Sequence, residues 1–294
     1  MLSVWLRAIR IKFLLASVIA VSLGLSLSWY AGYSIDIFHA LLTFAGVISL
    51  HASVDLLNDY WDFKRGIDTK TKRTKMSGGT GVLPEGLLKP KSVYLVGIVF
   101  LILGAIIGIY FVTIFGITIG LILGFAILSV YFYSTKIVNW GLAEVFVTIK
   151  GALIIIGTYF IQTQNIDDFT ILAGIVVGIL SSLVLFVTSI PDHDVDKEKG
   201  RRTLIIIFGK SNAVRTFLIF PILAYGIIIY GVVSGLFPIY SLIVLLAKPF
   251  LILAILHLKD LEKSEKILIS SMTNTLYFSR IAGALFIISF LIGF

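Results

Sequence analysis

The sequence predicts an all-α, polytopic membrane protein. It should have nine transmembrane helices in one bundle around a central cavity, with the N-terminus on the cytoplasmic side. Three observations predict this. The 294 residues are 58% hydrophobic and only 14% charged, against roughly 45–50% and about 25% in soluble domains. Several apolar runs reach the ~20 residues that cross a bilayer, too long and uniform for barrel strands. The connections are of two kinds, one free of Lys and Arg, the other carrying almost all the positive charge.

Taken in order, the apolar runs place helices at 12–32, 36–57, 92–114, 116–134, 141–162, 169–190, 213–234, 236–257 and 272–293. The first follows a basic N-terminus (Arg7, Arg10, Lys12) and is too long, with flanks too basic, to read as a cleaved signal peptide. "WYAGYSID" joins it to the second, which ends in the basic segment 58–91. "FVTIFG" joins the third and fourth, and the short basic loop 135–140 follows. "IQTQNIDDF" joins the fifth and sixth, before the basic segment 191–212. "VVSGLFP" joins the seventh and eighth, and 258–270 leads into the ninth. Nine helices put every basic segment on one face, the cytoplasmic one by the positive-inside rule. The expected organisation is a single membrane-embedded domain, 1–294, in the cell membrane. Lys150, Lys248 and Arg280 fall inside helices, where cations face the bundle interior or snorkel. Glu144 and Lys150 are expected to face the cavity, and Lys248 before Pro249 marks an expected kink. The absence of cysteine excludes disulfides, thiol nucleophiles and zinc–thiolate sites.

The two long basic segments follow the second and sixth helices, so both open on one face. Each begins with an acidic cluster, "NDYWD" and "PDHDVD", and continues to a basic triplet, "KRT" and "RRT", which hints at a four-helix internal repeat. On a continuing helix Asp59 and Asp62 are three apart on one face, and Asp192 and Asp196 four apart. Either cluster alone could be a solvated loop balancing nearby lysines. Two such clusters in a chain with only sixteen acidic residues favour a site. Carboxylates of this kind suit Mg²⁺, which completes its shell with waters and substrate phosphates. Asn58 adds a carbonyl ligand or a donor, and Asp68 and Asp194 stand close behind. Cations beside the acids, Arg73, Lys75, Lys197 and Arg201 among them, suit a metal-bound polyphosphate. "MSGGTG" (76–81) offers backbone N–H groups to an anion or serves as a lid. Lys136 is a topology charge or a phosphate contact, with Tyr133 and Ser134 as donors.

On these residues the chain resembles the UbiA superfamily of intramembrane prenyltransferases. "NDYWD" is similar to that family's first aspartate-rich motif and "DHDVD" to its second, with "KGRRTL" following as it commonly does there. "LLNDYWDFKRGID" and "SGGTGVLPEGLL" look closest to the branch that prenylates dihydroxynaphthoate in menaquinone synthesis. Gly66 stands where many members carry a further acid, and Asp68 takes that role two residues later, as in the menaquinone branch. Thr188 and Ser189 stand where that branch often carries Asn.

The resemblance implies transfer of an isoprenyl group from an allylic diphosphate to an aromatic quinone precursor through a carbocation. Two Mg²⁺ ions would bridge the diphosphate to Asp59, Asp62, Asp192 and Asp196, with Asp68 as a further ligand. Tyr131, Phe132, Tyr133, Tyr159 and Phe160 are candidates to line the cation, and Asp194 is a candidate base. The expected partners are a prenyl diphosphate, a lipophilic or aromatic acceptor and the bilayer, with no nucleic acid. One alternative is an archaeal-type glycerol-phosphate ether acceptor. A transporter is the distant alternative, since transporters place acids near the midplane and here they lie at helix ends.

Overall fold

The structure, a computed structural model, describes residues 1–70, 73–74, 76–261 and 263–293. Its helices are α1 (Leu2–Ala8), α2 (Ile11–Tyr30), α3 (Ile37–Lys64), α4 (Pro90–Phe115), α5 (Ile117–Phe132), α6 (Ala143–Thr163), α7 (Asp168–Thr188), α8 (His193–Glu198), α9 (Leu204–Phe208), α10 (Ala213–Val233), α11 (Lys248–Lys259) and α12 (Glu265–Ile292). There is no strand among the described residues. Eight spans in this set are long and apolar enough to cross a membrane, counting α10 with the turn before it and α11 with the 3₁₀ segment Ile239–Ala247. The chain is therefore an all-helical integral membrane protein. α5 is also apolar but has 16 residues, about 24 Å of helix against a hydrocarbon core of ~30 Å.

Local chemistry sets several boundaries. Asp36 caps α3 by accepting from the His39 N–H at 3.0 Å, and Ser264 caps α12 through Ile267 N–H at 3.3 Å. Pro90 opens α4, where its missing N–H costs nothing. α3 runs seven residues past the expected 57, and α12 begins seven before the expected 272. Hydropathy falls before these helices end, because their polar turns are held by partners in the fold. The span Ile239–Lys259 is not a single α-helix: 3₁₀ geometry changes to α at Lys248, beside the N–H-less Pro249. Lys248 is exposed at that junction and does not face the interior.

The connections sort by end. Asp36 N–H donates to Gln162, and Asn165 donates to Tyr33. These gather the α2–α3 and α6–α7 connections, both free of Lys and Arg, at one end. At the other, Arg10 pairs with Asp59, Lys70 with Glu198, Arg65 donates to the Ser134 carbonyl, and Arg202 N–H to the Val138 carbonyl. The basic segments therefore share one end, as the charge alternation requires.

α7 occupies the centre, packed by α2, α6, α10 and α12. Of its most apolar stretch 72% is buried, against 22% for α4, which faces lipid. α6 and α7 approach through small residues. An added Cβ on Gly151 would stand 2.8 Å from the Gly178 Cα, and one on Gly174 would stand 3.0 Å from the Ala152 Cα. Gly174 and Gly178 form the small-xxx-small spacing that lets membrane helices meet backbone to backbone.

Candidate active site

The bundle encloses a cavity of about 960 Å³ that opens at the basic end. Its mouth is built from the last two turns of α3, the loop after it and the segment after α7. Asn58 and Asp62 share a helical face, and Asn58 Nδ2 donates to Asp62 Oδ2 at 3.1 Å. Asn58 Oδ1 accepts from the Ser134 hydroxyl at 2.7 Å, which ties α3 to the end of α5. Asp59 is buried and turned aside from the cavity lining. One of its oxygens meets Arg10 at 2.6 Å and the other accepts from Thr80 Oγ1.

Pro191 follows the end of α7, and Asp192 and Asp196 lie on the turn that begins α8. The Asp196 N–H donates to the Asp192 carbonyl at 2.8 Å, so the four-residue spacing is helical. Arg201 joins the two motifs. Its Nη1 donates to Asp196 at 3.1 Å and its Nη2 to Asp62. The glycine-rich loop also touches both: Gly78 N–H donates to Asp192 Oδ2 at 3.3 Å, while Thr80 holds Asp59. Gly79 has φ +69°, and a Cβ there would lie 2.5 Å from Asp68 Oδ2, so only glycine lets the backbone lie on that carboxylate. Arg7 pins the loop from outside, donating to the Thr80 carbonyl at 2.6 Å and to Glu85 at 2.7 and 2.9 Å. Arg73 lines the cavity and also pairs with Glu85.

Burial pushes the Asp192 carboxyl up to about 7, with Asp196 adding to the effect. Burial also raises Asp68, reinforced by Asp62 and Asp59, and raises Asp196 against the pull of Arg201. The Asp192 Oδ1 atom is buried with no hydrogen-bond partner. Hard, crowded, under-satisfied carboxylate oxygens fit a divalent cation such as Mg²⁺. Yet among the described residues no three acidic or histidine side chains are gathered to hold one. Arg201 stands between Asp62 and Asp196 and supplies the positive charge there.

Several expected residues lie elsewhere. Asp194 is exposed and held by Lys210 at 2.9 Å and His193 at 2.7 Å, which lower its carboxyl below its ordinary value; it does not line the cavity. Lys197 is exposed and also outside the lining. Lys136 stands 4.9 Å over the Phe132 ring, a cation–π contact away from the cavity. Ser134 acts through Asn58. Of the five aromatic candidates only Tyr133 lines the cavity. Tyr159 bonds Asp167 at the opposite end, Phe160 packs beside Phe111 and Ile161, and Tyr131 and Phe132 lie edge to face outside it. Glu144 faces away from the cavity and accepts from the Leu204 N–H at 3.1 Å, whereas Lys150 does line it. Lys75 lies outside the described residues. Arg10 and Thr80 join the site through Asp59 without a distinct signal in the sequence. Arg10 reads in sequence as one more topology charge, and Thr80 as part of a flexible loop.

The UbiA prenyltransferase family matches residues 17–292. The chain belongs to that family. It is therefore an enzyme that transfers prenyl groups, and the transporter reading falls away. This UbiA-family chain is 28% identical to the 1,4-dihydroxy-2-naphthoate octaprenyltransferase of Bacillus subtilis, over 75% of the chain and 72% of the relative. It is 26% identical to the enzyme of that name from Escherichia coli, over 84% and 82%. A UbiA homologue from Archaeoglobus fulgidus bound to GPP and Mg²⁺ superposes with a TM-score of 0.63 at 17% identity, covering 96% of this chain and 99% of the other. A digeranylgeranylglyceryl phosphate synthase superposes with a TM-score of 0.61 at 20% identity, over 99% and 98%. These two likenesses establish the UbiA-type fold.

Proposed function

We propose that this enzyme transfers an isoprenyl group from an allylic prenyl diphosphate to an aromatic quinone precursor, with Mg²⁺ at the two aspartate motifs. The carrying observation is that Asp62 and Asp196, one from each motif, meet at the cavity mouth across Arg201. The naphthoate prenyltransferases of B. subtilis and E. coli support an aromatic acceptor, and the Mg²⁺-bound homologue supports the metal.

Asp62, Asp192 and Asp196 would hold the ions on the cavity side, with Asp59 and Asp68 behind them. Ions held there would supply positive charge to the diphosphate leaving group as the allylic C–O bond breaks. Arg201 and Arg73 take phosphate oxygens. Asn58 keeps Asp62 oriented. The glycine-rich loop closes over the leaving group and sheds water from the cation. Tyr133 offers the allylic cation an aromatic face. The isoprenoid tail lies among the apolar side chains of the cavity. We place the whole chain, 1–294, in one membrane-embedded unit, with the segments 58–91 and 191–212 on the cytoplasmic face by the positive-inside rule.

The test is prenyl transfer in membranes supplied with geranylgeranyl diphosphate, Mg²⁺ and three acceptors: dihydroxynaphthoate, hydroxybenzoate and geranylgeranylglyceryl phosphate. Product on an aromatic acceptor is expected, with loss of activity in Asp62→Ala and Asp192→Ala although both still insert. Product on the glyceryl phosphate alone, or Mg²⁺-dependent turnover kept by both variants, would sink the reading.

A further inference from the structure

Below the aspartate motifs the cavity wall carries a second group of charged side chains that the transfer chemistry above does not use. His51 and Asp55 come from α3, Lys150 from α6 and Arg280 from α12. On α3, Asp55 lies one turn and His51 two turns below Asp59, about 6 and 12 Å deeper. The remaining wall brings little charge to this depth. α7 contributes none, α5 contributes Tyr133 near the mouth, and the cation on α2, Lys12, is exposed at the rim.

The group is unbalanced. His51 Nδ1 and Ser17 Oγ are hydrogen-bonded at 2.7 Å, and His51 Nε2 stands 3.8 Å from Asp55 Oδ2. His51 is within electrostatic reach of both Lys150 and Arg280, and Lys150 within reach of Asp55. Yet among the described residues neither cation has a hydrogen-bond or ion-pair partner, and Arg280 Nε is buried and unsatisfied. Two cations thus face one carboxylate inside a membrane protein. Charges at such depth are expensive and mark a ligand or a pathway. Topology does not explain them, since both sit within helices. Snorkelling does not either, since both line the cavity.

We propose that Lys150 and Arg280 form the acceptor subsite and bind the carboxylate of an aromatic-acid acceptor. This rests on the prenyl-transfer reading and assigns the acceptor class to named residues. The donor diphosphate is held at the mouth. A carboxylate anchored below would fix the ring in one orientation, with a carbon activated by a ring hydroxyl turned toward the allylic carbon. His51 and Asp55 stand beside the anchor and hydrogen-bond a neighbouring ring hydroxyl. The apolar isoprenoid tail gains nothing from two cations and must take another part of the cavity.

Calorimetric binding to the purified full-length protein tests this without turnover, using 1-hydroxy-2-naphthoate, 1-naphthol and glycerol 1-phosphate as probes. The wild type should bind the naphthoate at least about tenfold more tightly than 1-naphthol, the worth of one charge-assisted hydrogen bond. Lys150→Met and Arg280→Met should each remove that preference, Lys150→Arg should keep it, and prenyl diphosphate affinity should stay unchanged in all three. Equal affinity of the wild type for naphthoate and naphthol would overturn the subsite. So would an undiminished preference in both Met variants, or tighter binding of glycerol 1-phosphate than of the naphthoate. Naphthoate preference without any prenylated product would instead count against the transfer reading alone.

Discussion

Replacing Arg201 with methionine keeps much of the side-chain bulk and removes the guanidinium between Asp62 and Asp196. The arginine side chain is 10% exposed and the two carboxylates 5% each. Neither acid can turn to bulk water, so the discount that applies to surface ion pairs does not apply. Removing one partner of a buried pair costs about 3–5 kcal/mol, because the other charge stays behind. For a chain of this size that lowers the midpoint of thermal unfolding by roughly 10 °C. The measurement is a melt of detergent-solubilised protein, once in EDTA and once in millimolar Mg²⁺. The variant should melt lower than the wild type in EDTA and recover most of the difference in Mg²⁺. In the wild type the ion competes with the guanidinium for the same oxygens, so its Mg²⁺ increment should be the smaller. Equal increments would refute the idea that arginine and metal share the gap. A variant as stable as the wild type in EDTA would refute the burial argument itself.

Thr80→Val removes the hydroxyl that donates to buried Asp59 while keeping the shape. It should cost about 1.5–3 kcal/mol in the same melt, the range for a hydrogen bond to a charged group. Gly178→Leu forces a side chain into the α6–α7 contact and should cost about 3 kcal/mol, at the upper end for overpacking. Gly124→Leu, on α5 with open space around it, should stay within about 0.5 kcal/mol of the wild type.

Hydropathy and charge placement carried the architecture, because a bilayer demands long apolar runs and the basic segments share one end. They misplaced the basic-end termini of α3 and α12, whose polar turns are sustained by contacts with distant parts of the chain. The spacing of Asp59, Asp62, Asp192 and Asp196 announced a helical site; Asp62, Asp192 and Asp196 line one mouth, while Asp59 turns aside to Arg10 and Thr80. What spacing cannot carry is the direction a side chain takes after a turn. Asp194 sits between two site aspartates in sequence and points to Lys210. Glu144 and Lys150 share a helix and face different ways. Arg10 acts on Asp59 from 49 residues away, a pairing that only the packing of α2 against α3 creates.

The two aspartate motifs ride on supports of unequal stiffness. α7 delivers the second motif from the centre of the bundle, braced on several sides and locked to α6 through glycine. α3 delivers the first, and its main backing is α4, whose outer surface of Leu95, Val99, Ile102, Ile106 and Ile109 is exposed. A bilayer that thins or thickens makes its helices tilt to match. By this packing the adjustment should fall more on the α3–α4 pair than on α7, so that the spacing between the two sets of carboxylates would respond to the surrounding lipid. An enzyme whose donor and product carry isoprenoid chains then has those molecules acting on it twice, as reactants in the cavity and as part of the solvent that tunes its mouth.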